Sequence, residues 1–495
     1  MRMTGLASGL DIDSMVKELM KARRTTYDNM VKKRTKVEWQ QEDYRSMATK
    51  IVDFRNNKLA SFKLANVIGA KTSDVSGDTN ALTVNSTSAT SAGSLTVKVN
   101  HVATAANTIY TFNNKEADGV TDKKLKDLGF ALEYEADGVT ETGNILVKIN
   151  GVQIKTSKEG TLSELAGAIN AKASTSKATA LYDSASGKFS ISATKTGETD
   201  AATYTGLTVE TFAAGPSVTN VNNTNIGSDA DITVNGLDYK QASNQFTVAG
   251  FNFTIKSEAT AMITARQDTT KIVDTIKSFI TEYNSLISSV NSELSEKKNY
   301  DYKPLTSDEK EEMTEDDIKN WEAKARSGLL KSDSSLSTMI SQFRLATNDL
   351  VKGIIDSSGN ALSIGITTGS YSEKGKLVLD EDKLQKALSD NPDAVIALFS
   401  DSTNGVFSKM TKSSMTALEN MSKKAGTSLT STDLTGSFME TSLLGDQIRA
   451  MKNREKQMLD RLDKAEDQYY KTFSAMETAI NKFNSQSSSL SSYLQ

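Results

Sequence analysis

The sequence predicts an α+β multidomain protein, with long terminal α-helices forming a coiled coil or helical bundle and β-rich domains inserted between them. Three observations carry this. The only prolines are Pro216, Pro304 and Pro392, so uninterrupted helices are permitted at both ends. Both ends carry apolar residues at or near heptad spacing. Between about 72 and 265 the texture changes to Ser/Thr/Gly/Val-rich alternation, the period of strands.

The C-terminal segment, 441–495, has the stronger seam. Ile448, Leu462, Tyr469, Met476, Phe483 and Leu490 fall on one seven-residue series, in which Glu455 is the only charged member. Offset by three stand Met451, Met458, Ala465, Thr472, Ala479, Gln486 and Tyr493. A seam this long is a coiled coil in want of a partner helix, since helices of globular cores usually run about 8–20 residues. The N-terminal segment, 1–64, repeats the pattern more loosely. Ile12, Val16, Leu19, Met30, Val37, Tyr44, Met47, Ile51 and Phe54 carry it, broken by Arg23, Thr26, Lys33 and Gln40. Asp11 or Asp13 is placed to cap this helix, and the Gly5 to Gly9 stretch before it reads as mobile.

The middle resolves into smaller pieces. Stretches such as GSLTVKVNHV, NILVKINGVQI, DITVNGLDYK and FTVAGFNFTIK read as strands, with Asn150-Gly151 and Asn235-Gly236 as hairpin turns. The repeated EADGV, at 116–120 and 135–139, reads as Asp-Gly turns. Thr161 and Glu164 form a capping box for a short helix. From 266 to 440 a helical bundle with a small β element is predicted, its first helix carrying Ile272, Ile276, Phe279, Tyr283 and Ile287. Thr306 with Glu309, and Thr314, start two further helices, the second turning Ile318, Trp321 and Ala325 inward. Asn391-Pro392 starts another.

Composition excludes much. There is no cysteine, hence no disulfide, thiolate site or cysteine nucleophile. The single histidine, His101, ends a predicted strand and reads as a surface group. No phosphate-binding or nucleophile-elbow motif is present. Residues 1–64 hold 14 Lys/Arg against 8 Asp/Glu, leaving 44 against 54 for the rest: a basic end on an acidic body. The basic run 21–36 reads as a solvated helix face, and the acidic cluster 308–317 as carboxylates at two helix N-termini. Catalysis is not indicated: no catalytic residue, cofactor or metal is assigned. No apolar run approaches a membrane span or a signal-peptide core.

Two seamed ends that lack a core of their own imply an assembly subunit. The interface residues assigned are Ile12, Val16, Leu19, Met30, Val37, Ile448, Met451, Met458, Leu462, Tyr469, Met476, Phe483 and Leu490. GLASGLDIDSMVKELM at 5–20, KVEWQQEDYRSMATKIVDFR, GSLTVKVNHVATA, IVDTIKSFITEYNSLI and the stretch 302–333 with its WEAKARSGLL together resemble the flagellar filament cap (hook-associated protein 2) family. The resemblance covers both ends and most of 266–495; residues 105–230 match loosely, as a variable domain inserted in a second β domain.

The resemblance implies a structural cap at the distal tip of the bacterial flagellar filament. Such a cap retains exported flagellin and promotes its folding and insertion. It implies a ring-shaped homo-oligomer, pentamer or hexamer, with flagellin, the filament end and hook-associated junction proteins as partners. It also implies export through the flagellar type III apparatus with an export chaperone, without a cleaved signal peptide, and neither nucleic-acid binding nor membrane insertion. A surface adhesin, binding host mucin or matrix through its β domains, is the alternative from another class.

Overall fold

A computed structural model describes residues 11–87, 93–198, 207–211, 218–355, 358–439 and 441–493. The Gly5 to Gly9 stretch lies outside them. The chain divides into two compact units, Met1–Gly69 with Thr269–Gln495, and Ala70–Asp268.

The first unit is helical. Its main helices are α1 (Ile12–Asp53), α2 (Thr269–Ser295), α3 (Ser307–Glu311), α4 (Glu315–Arg326), α5 (Ser334–Lys352), α6 (Glu381–Asp390), α7 (Pro392–Ser400), α8 (Val406–Ala425) and α9 (Leu443–Tyr493). Their starts follow local chemistry. Asp11 caps α1 by accepting from the Ser14 amide at 3.0 Å, while Asp13 stands in the first turn. Thr306 and Glu309 exchange hydrogen bonds at 3.3 and 2.9 Å at the head of α3. Asn391 caps α7, with Pro392 at its first position.

The core of this unit gathers Tyr44, Met47, Ile51 and Val52 of α1, Ile272, Ile276, Phe279 and Tyr283 of α2, Phe343 of α5, Phe399 of α7, and Phe407 and Leu418 of α8. Phe407 meets Phe279 edge-on at 5.1 Å and Phe399 at 5.6 Å, favourable aromatic geometries. The second half of α1 therefore belongs to a globular core, although its spacing is that of the seam. A π-helical stretch, Phe54–Leu59, continues α1 and buries Phe54, Arg55 and Leu59 together. On α4 only Ala325 is buried. Ile318 and Trp321, expected inward, are half-buried because α4 lies at the margin of the core. The small β element consists of two short pairs: Ala361–Leu362 pairs with Ile354–Ile355, and Ile366–Thr368 with Leu377–Leu379.

The second unit has two apolar cores. A five-stranded antiparallel sheet, ordered Lys71–Gly77, Ala259–Gln267, Gly93–His101, Ala230–Val234, Leu237–Gln241, shares the first core with a three-stranded sheet. Val97 lies opposite Ala261 on one side and Val234 on the other. Between Gly93–His101 and Ala230–Val234 the chain builds the second core. There two four-stranded sheets and the helix Leu162–Ala171 enclose Ile145, Val147, Leu165, Ile169 and Phe189. Asn150 and Asn235 adopt positive φ ahead of Gly151 and Gly236, as two-residue hairpin turns require. In both EADGV copies the aspartate accepts from two backbone amides at 2.9 Å and a threonine hydroxyl at 2.5 Å, closing the turn on itself.

Candidate assembly surface of the terminal helices

The terminal helices α1 and α9 lie side by side and antiparallel. Going up α1, the Asp13 carboxylate accepts from the Tyr470 hydroxyl at 2.9 Å, Arg23 Nε donates to the Tyr469 hydroxyl at 2.9 Å, Arg34 Nε donates to Glu455 Oε1 at 2.8 Å, and Glu38 pairs with Lys452 at 3.4 Å. The C-terminal seam thus finds its first partner within the chain.

Along α1 the interface has three zones. At the tip, Ile12, Val16 and Met20 are buried against Leu462, Ala465, Tyr469, Tyr470 and Phe473. Spacing by four puts these three on one stripe, which leaves Leu19 off it, 42% exposed. From residue 21 to 40 no α1 residue is fully buried, and Met30 and Val37 are half-buried. From Gln41 onward α1 enters the core, and Gln41 itself donates to the Ala425 carbonyl at 2.8 Å.

On α9, Ile448 is buried, while Met451, Met458, Leu462, Tyr469 and Met476 are half-buried. Phe483 and Leu490 are 70% and 67% exposed. Among the described residues the antiparallel pairing runs out at Phe473, packed against the tip of α1, and residues 481–490 of α9 are all exposed. Met15 and Leu459 add partly exposed apolar surface that the heptad reading missed. No simple spacing singles them out.

Charge organises the middle zone. Arg34 bridges Glu38 at 2.6 Å and Glu455 at 2.8 Å. Burial lowers the guanidinium's affinity for its proton, but the two carboxylates outweigh that and raise it. Glu455, the lone charged seam member, is the buried partner of this pair. That oddity was the one signal in the sequence that could have located it. On another side of α1, the basic run 21–36 meets the acidic cluster 308–317: Arg24 lies 3.8 Å from Asp308, and Lys32 is 2.5 Å from Glu309. Arg326 of α4 reaches Asp43 at 2.6 Å and Glu42 at 2.9 Å. The two charge runs, each predicted to face solvent or a helix dipole, face each other.

Among the described residues no group of three or more His, Cys, Asp or Glu is placed to hold a metal ion, and no helix is long and apolar enough to cross a membrane. His101 pairs with Glu258 at 2.9 Å on the surface.

Two family models match the chain. The model of the flagellar hook-associated protein 2 C-terminus matches residues 227–485, and that of the N-terminus matches 8–106. The flagellar hook-associated protein 2 of Halalkalibacterium halodurans is 27% identical, over 100% of this chain and 99% of its own length. That of Thermotoga maritima is 28% identical over 70% of this chain and 54% of its own. The crystal structure of the flagellar cap protein FliD D1-D2-D3 domains from Escherichia coli is 20% identical, covers 83% of this chain and 99% of its own, and has a TM-score of 0.49. The C-terminal match alone takes in more than half of the residues, and so the chain belongs to the flagellar hook-associated protein 2 family, the structural caps of the bacterial flagellar filament.

Proposed function

We propose that this chain caps the distal tip of the filament, holding back exported flagellin and promoting its folding and insertion beneath the cap. The observation that carries the reading is the α1/α9 pair, whose distal seam, with Phe483 and Leu490, is left without cover among the described residues. Exposed apolar positions in heptad register favour a further helix. In this reading that helix comes from neighbouring copies in a ring of five or six, or from the filament end. Flagellin and the hook-associated junction proteins are the other partners. The chain reaches the outside through the flagellar type III route, with an export chaperone. Its work is structural: no catalytic group, nucleic-acid partner or membrane insertion enters it. Nothing observed favours the adhesin alternative.

Deleting the gene is the test. A cap predicts flagellin monomer in the medium and missing or stunted filaments. Filaments of normal length would overturn the reading, and normal motility with lost surface binding would revive the adhesin.

A further inference from the structure

We propose that residues 302–326 form a stiff arm that latches α1 by charge, so that ionic strength sets how firmly the middle of α1 is held. This goes beyond the capping role and does not depend on it.

The arm is tied together internally. Trp321 Nε1 donates to the Lys303 carbonyl at 2.8 Å, and its indole meets the Tyr302 ring edge-on at 4.8 Å. Lys310 of α3 bridges Glu322 of α4 at 2.6 Å. The reciprocal bonds of Thr306 and Glu309 fix the first turn of α3. These contacts join both helices and the loop before them into one body.

Its hold on α1 is of another kind. Within the arm only Pro304, Leu305 and Ala325 are buried, and no residue of α3 is. The contacts that reach α1 are Arg24 with Asp308, Lys32 with Glu309, and Arg326 with Asp43 and Glu42. Those of Arg24 and Lys32 lie in the zone, 21–40, in which α1 buries nothing fully, and those of Arg326 fall just beyond it. On the opposing flank α9 also grips this zone by charge, through Glu455 to Arg34 and Lys452 to Glu38. Between its tip and the core α1 buries apolar surface only in part, Val37 against the core among it, so ion pairs carry a larger share of the hold there. Exposed pairs such as Arg24 with Asp308 and Arg326 with Glu42 are individually worth about 0–1 kcal/mol and are screened by salt, whereas buried apolar contacts are not, and the pair of Arg34 with the buried Glu455 is screened much less.

The test is amide hydrogen exchange on the full chain, read by peptide at about 0.1 M and about 1 M sodium chloride, between which the screening length falls from about 10 Å to about 3 Å. Peptides over 22–36 and 307–324 should exchange about tenfold faster at the higher salt, as expected when several modest pairs weaken together. Peptides over 272–290, in the apolar core, should not change. The R24Q/K32Q variant should exchange fast at both salts, the charge-conserving R24K/K32R should behave as the parent, and K33Q, altered one residue along on an exposed position, should also match the parent. Protection of 22–36 that is independent of salt, or that survives R24Q/K32Q, would overturn the latch.

Discussion

The hydroxyl of Tyr44, in α1, donates to the carboxylate of Asp333 at 2.5 Å, and Lys424 of α8 reaches the same oxygen at 2.9 Å. Asp333 also caps α5 by accepting from the Leu336 amide at 3.1 Å. One buried carboxylate therefore ties α1, α5 and α8 together at the place where the terminal helix enters the body. Burial without these partners would be costly; with them satisfied, the network fixes one register of α1 in the core.

Removing one partner exposes that dependence. Tyr44→Phe keeps the ring among its neighbours and deletes a bond to a buried charge, which should cost the helical unit about 1–3 kcal/mol. Urea unfolding followed by circular dichroism would read it. An unchanged midpoint would mean that the network does not bind α1.

Acid should act through the same group. Burial pushes the Asp333 carboxyl up, but the Tyr44 hydroxyl, the Lys424 ammonium and the Leu336 amide together hold it below the ordinary value. A carboxyl lowered on folding gives its full stabilisation above its unfolded value of about 3.9 and loses it as pH falls through the lower folded value. The helical unit should therefore lose stability below about pH 4, and Asp333→Asn, less stable at neutral pH, should show a shallower loss. Thermal melts from neutral pH down to about pH 3, spanning that value, would compare the two slopes.

Backbone geometry gives a third expectation. Gly353 ends α5 at φ +82°, and a Cβ there would stand 2.1 Å from the Leu362 carbonyl oxygen. Gly353→Ala should cost about 2–3 kcal/mol through strain and the displaced hairpin. Melting the variant checks this, and a change within error would place the tight approach elsewhere.

Self-association should depend on the end of α9. Phe483→Ser and Leu490→Ser remove apolar groups that are already exposed in the single chain, so its melting temperature should barely move. If those groups are buried between copies, each change should weaken association about tenfold or more. Sedimentation velocity over a range of concentrations would show it. Equal association by parent and variants would remove these positions from the interface.

What could be read from the sequence, and what could not, divides by distance along the chain. Asp11, Thr306 with Glu309, and Asn391-Pro392 mark helix starts through bonds to residues three positions away, so a short window contains the whole cause. Asn150-Gly151 and Asn235-Gly236 mark turns for the same reason. Tyr44, Met47, Ile51 and Phe54 were legible as an apolar series, but the same spacing serves a coiled coil and a bundle core. Only the fold shows that these four lie in the core while Ile12 and Val16 lie against α9. Lys32 and Glu309 stand 277 positions apart, and nothing local to either run of charge announces the other. Leu19 was placed on the seam by a four-three count that slips one position against the stripe of Ile12, Val16 and Met20.

If the uncovered end of the terminal helix pair is what lets the chain act as a cap, filament growth needs Phe483 and Leu490. The deciding measurement is filament length in a deletion strain complemented with the F483S/L490S chain, with secreted amounts of parent and variant matched. Short filaments and free flagellin in the medium are expected, despite equal export of the variant. Filaments as long as those restored by the parent chain would contradict it.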